Sequence, residues 1–302
     1  MLDMTQYRRH YHNIEKNLFL GDLKFATNAE ELKAMAIKVI VSVIDFTFNE
    51  TKGSGITYYQ FRVADNENED VLTIFPETNR IISECQAKNR NVLVHCQAGV
   101  SRSASVVIAY LMSKYRKPFA ETKTKVSAIR RKIAPNPGFV RQLILYEELN
   151  FTISANNRKV RLHLLQTLFL NANISSISDR YFPRLAAVER MSPNLIPGKP
   201  FLCAKCGFTL CYEINVIRNE TIGGTTCGIV YIEPQNWMRQ KIADLFAAKS
   251  FPKQALHMSC NCGEVVVNFK DQFKSYVCNC LIHKQLNCLY FHLRADKYKI
   301  GK

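Results

Sequence analysis

The chain has 302 residues, of which 47% are hydrophobic and 22% are charged, and its formal net charge is +16. This length allows two domains, and the composition is that of a globular protein rather than a fibrous or disordered one. The longest apolar runs, such as Ala34 to Val43, are interrupted by Lys38 or are too short to cross a bilayer, so we expect no membrane partner.

Charges and cysteines are spread unevenly along the chain. The first thirteen residues, MLDMTQYRRHYHN, contain no apolar stretch, so we expect no secretory signal. Eleven cysteines without an export signal favour a reducing compartment, here the cytoplasm and nucleus, and metal binding where they cluster. Residues 156–302 hold 20 Lys and Arg against 9 Asp and Glu, an excess of +11 that favours a polyanionic partner such as nucleic acid.

Strand and helix patterns alternate along the first half of the chain. In order, the predicted elements are a strand at Asn13–Gly21, a helix at Ala29–Met35, strands at Ile37–Val43 and Ile56–Val63, a helix at Glu77–Lys88, a strand at Asn91–His95, a helix at Ser103–Tyr115 and further helix on either side of Pro135–Gly138. This alternation predicts an α/β fold with a central, mostly parallel sheet flanked by helices.

The second half of the chain shows a different pattern. Three prolines and a glycine between Ser192 and Pro200 mark a boundary. The predicted elements around it are helices at Val160–Phe169, Arg184–Glu189 and Met238–Ala248 and short β-branched runs at Cys227–Ile232 and Val265–Phe269. We therefore expect an α/β domain over residues 8–155, a partly helical linker over 156–199 and a small β-rich zinc-binding domain over 200–302.

The stretch HCQAGVSRS places Cys96 between a short apolar strand and a helix. The amides of such a loop, together with the helix N-terminus, can converge on one anion, and Gly99 permits the tight turn. The same field stabilises a thiolate, and Arg102 offers a planar fork that matches two phosphate oxygens. The pattern predicts a phosphate-binding loop in which Cys96 is a nucleophile and Ser103 donates to its sulfur, whereas an isolated cysteine would be read as an inert core residue.

Further residues around this loop are assigned by the same argument. The predicted phosphate-binding residues are His95, Gln97, Ala98, Gly99, Val100, Ser101 and Arg102. A displaced alkoxide or phenoxide needs a proton, and the carboxylic acids that follow the strand near residue 60 can supply it. Asp65 is the predicted general acid, with Glu67 and Asp70 as alternatives, and we expect His95 to brace the loop rather than to transfer protons.

HCQAGVSRS followed by AYLM resembles the signature of the cysteine-dependent dual-specificity protein phosphatases. The similarity extends over roughly residues 13–150 through NLFLGDLKFA, the stretch YQFRVADNENEDVLTIF that contains Asp65, and APNPGFVRQLILYEE. It implies a shallow pocket on a sheet flanked by helices. It also implies a two-step reaction without a catalytic cofactor, in which Cys96 takes a phosphoryl group that water then releases. The implied substrates are phosphoproteins carrying phosphotyrosine, phosphoserine or phosphothreonine.

Nine cysteines follow residue 200, and six of them form three close pairs, as zinc ligands usually do. One tetrathiolate is predicted from Cys260, Cys262, Cys278 and Cys280, and three ligands of a second site are predicted from Cys203, Cys206 and Cys227. For the fourth ligand of the second site we choose Cys211, and His257, His283 and Cys288 stay open as alternatives. We therefore expect about two structural zinc ions, although spacing alone does not exclude iron.

The run CGIVYIEPQNWM from Cys227 to Met238 resembles the zinc region of the zinc-domain-bearing type of this phosphatase family. Two features depart from that type, which usually supplies a histidine to the site of Cys203, Cys206 and Cys227, and has a CxxC where this chain has CNC. The resemblance implies a link to assembly of the large ribosomal subunit, and thus a pre-60S particle or ribosomal RNA as partner. It leaves open an assembly factor whose zinc domain is essential and whose phosphatase activity is secondary.

Overall fold

The computed structural model describes residues 10–47, 55–154, 156–171, 198–216, 230–247, 256–269 and 291–301. The chain divides into two compact units, Met1–Ile153 and Ser154–Lys302. Within the described ranges, no helix combines the length and the apolar character that crossing a bilayer requires.

A five-stranded sheet forms the centre of the first unit. Its strands are β1 (Tyr11–Glu15), β2 (Leu18–Gly21), β3 (Ile37–Val43), β4 (Thr57–Phe61) and β5 (Asn91–His95). Their spatial order is β1-β2-β5-β3-β4, and only β1 with β2 pairs antiparallel. The strand β5 is therefore central, and the predicted mostly parallel α/β sheet is confirmed.

Six helices surround this sheet in the described part of the first unit. They are α1 (Leu23–Ala26), α2 (Ala29–Ala34), α3 (Phe75–Ala87), α4 (Arg102–Tyr115), α5 (Phe119–Ile129) and α6 (Pro137–Glu148). The sequence marks the starts of three of them, because the side chains of Asp22, Asn28 and Asn136 each accept a hydrogen bond from a backbone amide in the first turn. The proline at the first position of α6 strengthens that start.

The core covers both faces of the sheet. On one face, Phe25 of α1 and Leu32 of α2 pack with Ile40 and Leu93. Neighbouring side chains on a strand point to opposite faces, so Val94 lies on the other side, and it too is fully buried. The helix α4 contacts β5, β2 and β3, and its residues from Arg102 to Met112 are all buried, as expected for a central helix.

The N-terminal strand differs from its prediction. The run Asn13–Gly21 is interrupted by a turn at Lys16 and Asn17, and β1 and β2 form a hairpin around it. Asn17 has a φ of 62°, which lies in the left-handed region that asparagine tolerates better than most residues. The hairpin positions Gly21 and Asp22 beside the end of β5.

The second unit is rich in β-structure, as predicted. Its strands are β6 (Pro200–Cys203), β7 (Thr209–Tyr212), β8 (Val230–Ile232), β9 (Leu256–Ser259), β10 (Val265–Phe269), β11 (Phe291–Leu293) and β12 (Tyr298–Ile300). They form a three-stranded sheet, β12-β6-β7, and a four-stranded sheet, β8-β11-β10-β9, and all the pairings are antiparallel. Besides these strands, the unit contains α7 (Arg158–Asn171) and α8 (Arg239–Ala247).

A buried ion pair joins α7 to the β-rich part of the second unit. Arg161 Nε lies 3.0 and 2.9 Å from the two carboxylate oxygens of Glu233, and its Nη2 donates to the carbonyl of Ile214 at 2.7 Å. Both charged side chains are almost fully buried. The first helix of the predicted linker is thus built into the second unit, whereas the helix predicted at Arg184–Glu189 lies outside the described residues.

Candidate active site

The central strand β5 delivers Cys96 to a loop that leads into α4. The backbone N–H of Gly99 and the hydroxyl of Ser103 both donate to the Cys96 sulfur at 3.2 Å. Cys96 is only 1% exposed and belongs to the same buried core cluster as Phe25 and Leu93. The sulfur therefore lies beneath the loop, and two hydrogen-bond donors point at it.

Gly99 is the residue on which the shape of the loop depends. Its φ of +64° lies in the left-handed region, and a Cβ there would approach the carbonyl oxygen of Gly21 and the guanidinium of Arg130 to 2.5 Å. Any side chain would have to displace backbone from the β2 strand end, so only glycine fits. The other predicted loop residues lie around it, with Gln97 and Ala98 exposed, Val100 half-buried and Ser101 buried.

Arg102 lies at the first turn of α4 with its guanidinium held from one side. Its Nη1 donates to Asp45 Oδ1 at 3.1 Å and to the carbonyl of Val63 at 3.2 Å. Its Nε is buried and has no hydrogen-bond partner among the described residues, although Asp65 Oδ2 lies 3.7 Å away. Because Nε makes no hydrogen bond among the described residues, the Nε side of the guanidinium can bind two oxygens of a phosphate without first giving one up.

Of the three candidate acids, only Asp65 lies beside the loop and Arg102. Its Oδ1 accepts from the hydroxyl of Ser101 at 2.7 Å and from Asn136 Nδ2 at 2.9 Å, and its side chain is 35% exposed. Glu67 instead forms an exposed ion pair with an arginine of α6. Asp70 is buried and caps the turn that follows it. The geometry thus favours the predicted acid over both alternatives.

His95 braces the loop from below. Its Nε2 lies 2.7 Å from the Ser42 hydroxyl, and its Nδ1 lies 3.3 Å from the carbonyl oxygen of Cys96. Because a carbonyl can only accept, Nδ1 carries the proton and Nε2 accepts from Ser42. Complete burial lowers the pKa of His95 to about 4, so the ring is neutral near pH 7 and holds both partners in this one tautomer.

Sequence reasoning missed Arg130, which is fully buried at the end of α5. Its Nε donates to the carbonyl of Gly99 at 2.9 Å, and its Nη1 lies 2.9 Å from His12 Nδ1. Burial lowers the pKa of this arginine to about 10, opposed by the negative charge of Asp22, and the group stays cationic. Arg130 is followed by two more basic residues, Arg131 and Lys132, and the sequence does not indicate which of the three is buried.

The second unit holds a cluster of four cysteines. The sulfurs of Cys203, Cys206, Cys260 and Cys262 all lie within 4.8 Å of one another. The separations are 3.8 Å between Cys203 and Cys262 and 3.5 Å between Cys206 and Cys260. A tetrahedron of sulfurs around zinc, with Zn–S bonds of about 2.3 Å, has edges of roughly 3.8 Å, so the four residues fit this ion.

This cluster corrects the pairing expected from the sequence, which joined Cys260 and Cys262 to the pair at 278 and 280. The structure instead brings them to the CxxC turn after β6, across the two sheets. Cys211, the chosen fourth ligand, lies on β7 and is not a member of the cluster. Burial, aided by the charge of Glu233, raises its pKa, which keeps it a thiol. The predicted ligands Cys227, Cys278 and Cys280 lie outside the described residues.

Comparison with known proteins gives one family match, to the catalytic domain of dual specificity phosphatases over residues 18–149. The Drosophila melanogaster dual specificity protein phosphatase MPK-4 is 31% identical over 213 residues, which are 68% of this chain and 54% of that protein. The Schizosaccharomyces pombe tyrosine-protein phosphatase yvh1 is 26% identical over 76% of this chain and 69% of its own length. The chain thus spans little more than half the length of the first of these relatives.

Among solved structures, the Yvh1 phosphatase domain from Chaetomium thermophilum is 29% identical to this chain. The match covers 45% of this chain and 94% of that domain, with a TM-score of 0.42.

Proposed function

Because residues 18–149 belong to the dual specificity phosphatase family, we propose that the chain removes phosphate from tyrosine, serine and threonine side chains of proteins through a phosphocysteine at Cys96. One observation carries this proposal. The Gly99 amide and the Ser103 hydroxyl converge on the Cys96 sulfur, beside an arginine whose fork is already oriented by Asp45.

In the first step, the loop and the Nε side of Arg102 bind the phosphate, and the Cys96 sulfur attacks phosphorus. The bond from phosphorus to the side-chain oxygen breaks, and its electron pair goes to that oxygen. Asp65, which faces the loop from above Ser101, gives this oxygen a proton, so that the leaving group departs as a neutral alcohol or phenol.

In the second step, water attacks the phosphocysteine, and the phosphorus–sulfur bond breaks. Asp65, now ionised, takes the proton of the attacking water. The departing sulfur recovers its negative charge, and the Ser103 hydroxyl at 3.2 Å together with the Gly99 amide stabilises it. Arg102 contributes to both steps because it stays bound to the phosphoryl oxygens as charge builds on them.

The proposal is tested by hydrolysis of phenyl phosphate and of peptides with one phosphorylated tyrosine, serine or threonine. We expect Cys96→Ser to abolish turnover, and Asp65→Asn to slow it about a hundredfold. Cys85→Ser makes the same exchange at a buried cysteine of α3 and should leave turnover unchanged. Turnover that persists in Cys96→Ser would show that another group is the nucleophile.

Zinc is the ion that we propose for the cluster of Cys203, Cys206, Cys260 and Cys262. Its role there is structural, because it would cross-link the turn after β6 to the turn after β9. The turns suit this role, since in each a glycine amide donates back to the carbonyl of the first cysteine, at 2.9 Å for Gly207 and 2.8 Å for Gly263.

We further propose that the second unit directs the chain to a pre-60S ribosomal particle or its RNA, with the cytoplasm and nucleus as compartments. The +11 excess of residues 156–302 supports this partner, because phosphate backbones bind Lys-rich and Arg-rich surfaces through released counterions. The same charge is equally consistent with the second candidate function, an assembly factor whose phosphatase activity is secondary.

Co-sedimentation with large ribosomal subunits tests the partner. Wild type and Cys96→Ser should sediment equally, and a chain that ends at Ile153 should not. The chain is cut at Ile153, because an end inside the predicted linker would leave Arg161 without Glu233. Equal sedimentation of the truncated chain would place the contact in the first unit. Complementation of a deletion strain with Cys96→Ser then separates the two functions.

A further inference from the structure

The segment that carries Asp65 has no regular secondary structure until Leu72, and it lies against the N-terminal half of α6. Asn66, Glu67 and Asn68 are exposed and Glu69 is half-buried, whereas the end of the segment from Asp70 to Leu72 is buried. A segment of this kind is expected to be mobile unless its backbone is held. We call residues 65–72 the acid segment.

Gln142 holds the backbone of the acid segment from within α6. Its Oε1 accepts from the amides of Val71 at 2.8 Å and Leu72 at 2.9 Å, and its Nε2 donates to the carbonyl of Glu69 at 2.7 Å. The side chain is 4% exposed, so these bonds are shielded from water. A buried side-chain amide that makes three such bonds holds the backbone of the segment in one position against the helix.

Gly138 brings the segment into contact with the first turn of α6. A Cβ at this position would lie 1.9 Å from the carbonyl oxygen of Glu67 and 2.5 Å from its carbonyl carbon. Both atoms are backbone, so a side chain here would have to displace the segment itself. Glycine inside a helix costs stability, about 1 kcal/mol relative to alanine, and this close approach supplies a reason for it.

Asn136 completes the contact at the start of α6. Its Nδ2 donates to Asp65 Oδ1 at 2.9 Å, while its Oδ1 caps the helix by accepting from the amide of Phe139 at 2.9 Å. Its backbone amide also donates to Ser101 Oγ at 3.1 Å, and that hydroxyl donates to Asp65. The helix therefore touches the acid segment at three points, namely at Asp65, at Glu67 and at residues 69–72.

We propose that α6 holds the acid segment in place, and that Gly138 and Gln142 are positioning residues that keep Asp65 over the Cys96 loop before any substrate binds. This inference rests on the proposed function. It goes beyond it, since neither residue touches the sulfur or the phosphate. Both act through the backbone of the acid segment, and their loss should weaken proton transfer alone.

The test uses Gln142→Met in the full chain, because methionine keeps the length of the side chain but makes none of the three bonds. Ile144→Met is the matched control, since it places the same side chain on the exposed face of the same helix. We compare kcat/KM for phenyl phosphate, whose leaving group needs a proton, with that for dinitrophenyl phosphate, whose leaving group does not.

For Gln142→Met we expect at least a tenfold loss with phenyl phosphate, and a loss of less than about threefold with dinitrophenyl phosphate. Amide hydrogen exchange should become faster within residues 65–72 and stay unchanged in the Cys96 loop. Gly138→Ala should show the same difference between the two substrates. Ile144→Met should match wild type in both assays, which separates the effect from a general loss of helix stability.

Equal losses with the two substrates would contradict this inference while leaving the proposed function intact. So would a wild-type ratio of the two kcat/KM values in both Gln142→Met and Gly138→Ala. A wild-type chain that hydrolyses neither aryl phosphate would overturn the proposed function itself, together with the role of Asp65 on which this inference depends.

Discussion

At the scale of single residues, the sequence predicted the site residues that lie close together in the chain, but not the residues that contact them from distant positions. Cys96, Arg102 and Ser103 lie within eight positions of one another, so strand, loop and helix fix their mutual geometry. From distant parts of the chain, Arg130 contacts the Cys96 loop, Asp45 contacts Arg102, and Gln142 contacts the acid segment. Their roles depend on which side chain of a polar run turns inward, and no local pattern records this.

His95 gives a prediction for stability against pH. Its pKa is lowered to about 4 in the folded chain and is about 6.5 when unfolded, so the unfolded chain binds the proton more readily. Stability from this residue is complete above about pH 6.5 and is lost as the pH falls through 4. Between pH 7 and pH 5 the loss amounts to about 2 kcal/mol of unfolding free energy.

Urea unfolding of wild type and His95→Asn at pH 7 and pH 5, followed by circular dichroism, measures this loss. Other groups also titrate in this range, but they are common to both chains. The pH dependence of the variant should therefore be smaller by about 2 kcal/mol than that of wild type. Identical pH dependence in the two chains would mean that His95 is not buried as a neutral ring.

At the scale of elements, the alternation of strands and helices predicted the sheet of the first unit. The spacing of apolar residues within each segment is enough to indicate whether that segment is a strand or a helix. The partners of the cysteine pairs were not predictable in this way. Order along the chain led us to group Cys260 and Cys262 with the cysteines at 278 and 280. In the structure, antiparallel pairing in two sheets instead brings them to Cys203 and Cys206. Which pair meets which is a property of the sheets, not of spacing.

Zinc content tests the corrected pairing. We expect the double variant Cys260→Ser with Cys262→Ser to lose one zinc per chain relative to wild type, as measured by mass spectrometry of the metal. Cys211→Ala should keep the wild-type content, because its buried thiol lies outside the cluster. A loss of zinc in Cys211→Ala would restore the ligand set expected from the sequence.

The ion pair between Arg161 and Glu233 predicts that α7 folds with the second unit. Arg161→Met leaves a buried carboxylate without its partner and should cost about 3–5 kcal/mol of unfolding free energy. Adding Glu233→Leu should recover most of this loss. The chain has a single tryptophan, Trp237, whose Nε1 donates to the carbonyl of Leu210, so its fluorescence reports on this unit alone. No recovery in the double variant would argue against the pairing.

At the scale of the whole molecule, the chain combines two units with different means of stabilisation. The first has a sheet covered on both faces and a central buried helix, and it carries the site. The second has two small sheets, a buried ion pair and four clustered sulfurs, and it carries most of the net positive charge. From the sequence we expect two domains joined by a linker over residues 156–199. Placing α7 in the second unit required the contact of Arg161 with Glu233.

The central claim is that the Cys96 sulfur receives the phosphoryl group, and trapping that intermediate tests it most directly. Wild type and Cys96→Ser are mixed with an aryl phosphate, quenched in acid during turnover and digested for peptide mass spectrometry. The account predicts one phosphoryl group on the wild-type peptide that contains Cys96, and none on the Cys96→Ser peptide. A phosphoryl group on any other residue, or steady hydrolysis by Cys96→Ser, would contradict it.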